Sequence, residues 1–342
     1  MQATLPPLLA AIMERIRGLF SAHRADLRTR SYGLPALNPP AAPCAVSSVT
    51  ASDGARLRVH SYGSAEGEAI VLVHGWTCCL EYWNPQINAF ADDYRVIAYD
   101  VRGHGESESG SADLTTDLLA DDLAAVLDAT LRPGQRAVLV GHSLGGMTIQ
   151  AWAGRYPEQV ARRADAVVLA NTASGDLIAE TTVVPRFNRG PLALPFPIGR
   201  LGLGLPLILP PIEPVKWIFR RQIMSLATTG DVADFGLAIV RSCPAMVRSR
   251  FGFLLAELAL QSCPGCVTVP TTVIAGSADD MTPPVHSERI AEALRSVGAL
   301  RRMVVLPTGH LGTVEAHEAF NDELAEVLAE TYSSGYAREA TA

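Results

Sequence analysis

Short apolar runs recur along the chain at Ile70 to Val73, Val96 to Tyr99, Ala137 to Val140, Val167 to Leu169, Thr272 to Ala275 and Met303 to Leu306. Unbroken runs of this kind are what a parallel sheet buries on both faces. Between several of them lie helical patterns, over Asp117 to Leu131, Leu144 to Tyr156, Ser287 to Val297 and Glu315 to Thr331. Strands alternating with helices predict βαβ units, and so an α/β fold. Upstream, from about Val46, the pattern turns strand-like. A turn follows at Asp53-Gly54, and Leu57-Arg58-Val59-His60 alternates as a half-buried strand does.

Two stretches break the alternation. At the N-terminus Leu8, Leu9, Ile12, Met13, Ile16 and Leu19 recur at helical spacing with Glu14, Arg15 and Arg17 among them. This predicts an amphipathic helix, packed on the body of the protein or lying on a membrane surface. Gly33 to Pro43 then reads as a linker rich in proline and alanine. The second break runs from about Ala173 to Ser262, where Pro185, Pro191, Pro195 and Pro197 interrupt apolar residues before helical patterns return. It reads as an insertion over the end of the sheet. The expected organisation is an N-terminal helix and linker over 1–44, a core over 45–172 and 263–332, a cap insertion over 173–262 and a tail over 333–342.

Composition narrows the function classes. Hydrophobic residues make up 48% of the 342 and charged residues 18%, enough apolar material for a sizeable core. The formal net charge is −7 with no long basic run, which argues against nucleic acid as a partner. Six scattered cysteines, Cys44, Cys78, Cys79, Cys243, Cys263 and Cys266, do not form the dense framework of a small secreted domain. Cys263-Pro-Gly-Cys266 has redox or zinc spacing but lacks a second Cys/His pair. Reduced thiols, no ordinary signal-peptide pattern and no apolar stretch near the roughly 18 residues of a membrane span predict a cytoplasmic protein. A membrane contact, if made, would come through the N-terminal helix or the cap.

The chemistry concentrates in Gly141-His142-Ser143-Leu144-Gly145, directly after one apolar run and directly before a helical pattern. This is the G-x-S-x-G elbow in the setting that gives it meaning. Small residues at Gly141 and Gly145 permit the sharp turn, and Ser143 projects as a nucleophile. The N–H of Leu144, at the helix start, faces where an oxyanion would form. A serine hydroxyl needs a base, and the base an orienting carboxylate. Of the histidines beyond Ser143, His310 follows an apolar run and the turn Pro307-Thr308-Gly309, whereas His286 and His317 fall within helical patterns and read as surface groups. Asp279 is the expected acid, with Asp280 and Glu315 behind it. The turn Val73-His74-Gly75-Trp76 offers the Trp76 N–H as second oxyanion donor, each such donor being worth roughly 3–4 kcal/mol. His74 is expected to hydrogen-bond within that turn.

Four segments in this order resemble the α/β-hydrolase superfamily: His74-Gly75-Trp76, Asp100-Val101-Arg102-Gly103-His104-Gly105-Glu106-Ser107, the elbow running on to Gly146, and a C-terminal pair. That pair reads Gly276-Ser277-Ala278-Asp279 with Pro283, then Gly309-His310 with Glu315. The resemblance implies an eight-stranded, mostly parallel sheet flanked by helices, a largely helical cap or lid in the insertion, and no cofactor. It also implies a serine esterase or lipase working by a Ser143-His310-Asp279 triad on a small-molecule ester. Serine at the elbow, and Thr77 where a proline would stand, argue against epoxide hydrolases and haloalkane dehalogenases. Cofactor-free haloperoxidases or perhydrolases, C–C bond hydrolases and ligand receptors on the same fold share the triad and stay open. Leu192, Leu194, Phe196, Ile198, Leu201, Leu203, Leu205, Leu207, Ile208 and Leu209, followed by Trp217 and Phe219, make the insertion apolar. They are expected to line a pocket for a lipophilic acyl group.

Overall fold

The computed structural model describes residue 18 and residues 20–183, 196–206 and 210–339, with side chains as far as residue 332. The apolar face expected from Leu8 to Leu19 lies outside the described residues, as do Pro185, Pro191, Pro195, Leu192, Leu194, Leu207, Ile208 and Leu209.

A helix α1 over residues 20–27 leads to β1 (Cys44–Thr50), β2 (Arg56–Tyr62) and β3 (Ala69–Val73). Helix α2 (Asn84–Phe90), β4 (Arg95–Tyr99), α3 (Thr116–Thr130), β5 (Ala137–His142), α4 (Leu144–Arg155), α5 (Pro157–Arg163) and β6 (Ala164–Ala170) follow. Next come α6 (Leu177–Glu180), α7 (Phe196–Leu203), α8 (Glu213–Ile223), α9 (Gly230–Arg241) and α10 (Ala245–Ala256). The chain closes with β7 (Thr271–Gly276), α11 (Pro284–Ser296), β8 (Leu300–Leu306), α12 (Gly312–Glu315) and α13 (His317–Glu339). Helix α13 therefore runs on through most of the stretch expected as a tail; no proline interrupts it.

The eight strands form one sheet in the order β1-β2-β4-β3-β5-β6-β7-β8. Strand β2 pairs antiparallel with β1 and β4, and the remaining pairings are parallel. Strands β3 and β5 are buried at every position, as their unbroken apolar runs require. Alternation divides their side chains between two cores. Val71, Val73, Leu139 and Leu169 pack with Leu123 of α3, Trp152 of α4 and Leu294 of α11. Ile70, Leu72, Val138 and Val168 pack with Ile87 of α2 and Phe320 and Leu324 of α13.

The helices between β6 and β7 engage both cores: Phe235 and Ile239 of α9 join one, Phe251 and Leu255 of α10 the other. This insertion is thereby seated firmly on the body. Most of its described apolar residues that were expected to line a pocket are turned to solvent. Phe196, Ile198, Leu201, Leu205 and Trp217 are exposed, while Phe219 is buried. The cause is how α7 packs. The end of α7 meets α10 closely, a Cβ on Gly252 overlapping the Leu203 carbonyl and one on Gly204 overlapping the Phe253 ring, while Phe196, Ile198 and Leu201 stay turned to solvent.

Candidate active site

Parallel strands deliver their C-terminal ends to one edge of the sheet, and the residues singled out by sequence collect there. Ser143 sits between β5 and α4 with φ 53° and ψ −118°, a backbone conformation costly for a residue with a Cβ. The surroundings enforce it. A Cβ on Gly145 would overlap the Val73 carbonyl, and one on Gly141 would come within 2.6 Å of the Gly146 nitrogen. The Ser143 N–H donates to the Ala170 carbonyl at 2.9 Å, and Thr172 Oγ1 donates to the Ser143 carbonyl at 2.7 Å. Strand β6 thus holds the elbow from the side.

Ser143 Oγ lies 2.9 Å from Nε2 of His310, and His310 Nδ1 lies 2.9 Å from Oδ2 of Asp279. An ionised carboxylate only accepts, so the imidazole proton sits on Nδ1 and Nε2 is left to accept from the serine. All three residues are buried. Burial pushes the Asp279 carboxyl up. His310 beside it, together with hydrogen bonds from Thr282 and Asn171, outweighs that and holds it below the usual carboxylate range. The Met281 and Thr282 N–H groups each donate to Oδ1 at 2.9 Å, and Thr282 Oγ1 donates to Oδ2 at 2.7 Å.

Of the other acids considered, Asp280 accepts at its carbonyl from the Thr182 N–H (2.7 Å) and Thr181 Oγ1 (2.8 Å), tying down the first part of the insertion. Glu315 accepts backbone N–H groups on either side of His310, from Gly309 at 3.2 Å and Leu311 at 3.0 Å. Neither carboxylate contacts the imidazole. His286, expected on the surface, is buried: the first turns of α11 pack its face inward, and burial pushes its pKa down.

The turn after β3 backs directly on the serine, since a Cβ on Gly75 would lie 3.0 Å from Ser143 Cβ. Two histidines fix this turn. His74 Nε2 accepts the Val101 N–H at 3.0 Å, so its Nδ1 donates to the Gly75 carbonyl at 2.8 Å. His104 Nε2 accepts the Thr77 N–H at 3.2 Å, and its Nδ1 donates to the Arg102 carbonyl at 3.1 Å. Burial pushes His74 down to about 4 and His104 to about 3, so both rings are neutral at pH 7. Asp100 supports the segment between them, accepting the Leu80 N–H at 2.6 Å and the Glu106 N–H at 2.9 Å. The Trp76 indole N–H donates to the Arg248 carbonyl of α10 at 3.1 Å. Trp76 thus follows Gly75 in the turn after β3, and Leu144 is the first residue of α4.

Sequence reasoning passed over Asn171. It follows β6 with φ 47°, a left-handed conformation that asparagine tolerates better than most residues. Its Nδ2 reaches both Asp279 Oδ2 (3.0 Å) and the Gly309 carbonyl (3.1 Å). His142 was likewise read only as a spacer in the elbow. Its ring, buried and pushed down to about 3, donates from Nε2 to the His310 carbonyl at 2.8 Å.

The alpha/beta hydrolase family model matches residues 70–323. Over 284 residues the chain is 31% identical to a protein of Variovorax paradoxus provisionally named carbamate hydrolase RutD, covering 82% of this chain and 98% of that one. Over 301 residues it is 26% identical to 3-oxoadipate enol-lactonase 2 of Acinetobacter baylyi, covering 82% and 95%. In fold it is similar to a thermophilic esterase from Thermogutta terrifontis, with a TM-score of 0.66 at 22% identity over 84% of this chain and 99% of that one. Since both the family model and relatives of nearly full span take in the edge of the sheet where Ser143, Asp279 and His310 meet, the chain is a hydrolase of the alpha/beta hydrolase family.

Proposed function

We propose that the chain is a serine hydrolase that cleaves carboxylic esters in two acyl-transfer steps. The observation that carries this reading is the continuous path from Ser143 Oγ through His310 to Asp279, with 2.9 Å at each junction. His310 Nε2 takes the hydroxyl proton as Ser143 attacks the carbonyl carbon, and Asp279 stabilises the resulting imidazolium and its tautomer. The N–H groups of Trp76 and Leu144 hold the tetrahedral oxyanion. His310 returns the proton to the departing alcohol, and water repeats the sequence on the acyl-enzyme.

The relatives' names support carbonyl chemistry of this type, because a carbamate and an enol-lactone both present an acyl carbon bearing a heteroatom leaving group. Hydrolysis of p-nitrophenyl esters from acetyl to palmitoyl by wild type and Ser143→Ala tests the proposal. Multiple turnovers that vanish in the variant are expected, and the chain-length optimum sizes the acyl site. Turnover that persists undiminished in Ser143→Ala would sink it. Tight ester binding without turnover would favour a receptor instead.

A further inference from the structure

Glu315 makes more contacts than the end of a short helix requires. Its Oε2 accepts the Ser225 N–H at 2.7 Å, the Thr228 hydroxyl at 2.8 Å and the Gly309 N–H at 3.2 Å, and its Oε1 accepts the Leu311 N–H at 3.0 Å. Gly309 and Leu311 flank His310, whereas Ser225 and Thr228 lie in the turn between α8 and α9. The same two segments meet twice more. The His310 N–H donates to the Ile223 carbonyl at 2.7 Å, and Gly309 lies against the Met224 backbone where no Cβ would fit. Beside the junction is a cavity of about 250 Å³, lined in part by Leu34, Val232, Pro307, Thr308 and Ala316. Met224 and Leu311 are buried in the same core, and the hydrogen bonds of Glu315 add to that packing.

We infer that Glu315 is a positioning residue of the proposed Ser143-His310-Asp279 site, its carboxylate fixing the His310 loop to the turn between α8 and α9. The place of the base then depends on the inserted helices as well as on the sheet. The inference rests on the triad reading above. A carboxylate suits the position because all four partners are donors and it has no hydrogen of its own. Glutamine is nearly the same size, yet it would turn an NH2 against at least one of those donors.

The test compares wild type, Glu315→Gln, Thr228→Val and the double variant. Readouts are the rate of covalent labelling of Ser143 by a fluorophosphonate, kcat and KM on p-nitrophenyl butyrate, and the thermal midpoint. In folded Glu315→Gln, labelling and kcat should both fall roughly tenfold or more while KM stays within about twofold, because a misplaced base slows chemistry and leaves binding intact. Thr228→Val should show a smaller loss in the same sense. The double variant should be no worse than Glu315→Gln, since both cut one link. Wild-type labelling and kcat in folded Glu315→Gln overturn the inference, as does a loss confined to KM. Should Glu315→Gln not fold, an unchanged kcat in Thr228→Val overturns it. A wild type that the fluorophosphonate does not label overturns the triad reading first, and is thereby distinguished from a failure of the Glu315 inference alone.

Discussion

Asn171 and Asp279 meet across the end of the sheet, the Asn171 Nδ2 donating to Asp279 Oδ2 over 3.0 Å. The same nitrogen holds the Gly309 carbonyl, so one side chain spaces the acid from the loop that carries the base. Asn171→Asp exchanges that donor for a second carboxylate, which Asp279 and the Gly309 carbonyl both repel. We expect kcat to fall about 100-fold with KM little changed, as when reacting groups are held out of line. Steady-state kinetics decide it. A wild-type kcat would mean that the Met281 and Thr282 donors alone fix the acid.

Asp279→Asn should cost far more. On the proposed mechanism it removes the charge that stabilises the His310 imidazolium and the acceptor that fixes its tautomer. The expected loss in kcat is about 10³- to 10⁴-fold, the scale found for the corresponding change in serine proteases. A loss below tenfold would place the acid elsewhere and reopen the assignment of Asp280 and Glu315.

Gly145→Ala should unfold the elbow, because its Cβ would overlap the Val73 carbonyl, which is backbone held within the sheet. A destabilisation of about 3 kcal/mol or more is expected from overpacking of this kind. Gly230→Ala, where nothing lies within 4 Å of the added carbon, should change stability by less than about 0.5 kcal/mol. Urea denaturation of the two variants makes the comparison. Equal midpoints would show that the strand yields where we expect it to resist.

Stability should decline on mild acidification. Burial holds His74 down to about 4, and His104 and His142 to about 3, whereas unfolded histidines titrate near about 6.5. The folded values are depressed, so the unfolded chain alone takes up these protons as the pH drops below that value. Stability is therefore complete above about pH 6.5 and lost progressively from there toward pH 4 and below. Each excluded proton steepens the loss by about 1.4 kcal/mol per pH unit. Urea midpoints at pH 7.5, 6 and 5 measure the slope. A midpoint constant over that range would mean the three rings are charged in the native protein.

The parts legible in the sequence were those whose cause is local. The apolar runs marked β3 to β7 because parallel strands inside a sheet are buried on both faces, the run of the part-exposed edge strand β8 marked it as well, and each expected strand lies within an observed one. The elbow was legible because a sharp strand-to-helix turn demands glycines at fixed spacing, and Asp279 and His310, each expected just after an apolar run, lie within hydrogen-bond reach of one another at the same edge of the sheet. What escaped was set by contacts far apart in the chain. Nothing near Asn171 announces that it will meet Asp279 and Gly309, and nothing near Glu315 announces Ser225 and Thr228. His286 was misjudged for the same reason: a helical pattern shows that a residue lies on a helix, but the neighbouring strands decide which side is covered. The outward turn of Phe196, Ile198 and Leu201 was equally hidden, because it depends on how α7 is set against α10, which it meets at Leu203 and Gly252.

The order in which Ser143, Asp279 and His310 occur has a consequence for the chain as it is synthesised. Of the three, Ser143 emerges first, after β5 within the future sheet, and His310 last, beyond the edge strand β8. If His310 is the proton acceptor proposed for Ser143, a growing polypeptide can assemble β1 to β6 around the serine and still be chemically inert until residue 310 leaves the ribosome. Leu311 and Glu315, whose hydrogen bond closes the loop around His310, follow only afterwards. On the proposed mechanism, fragments ending before residue 310 should carry an intact elbow without turnover.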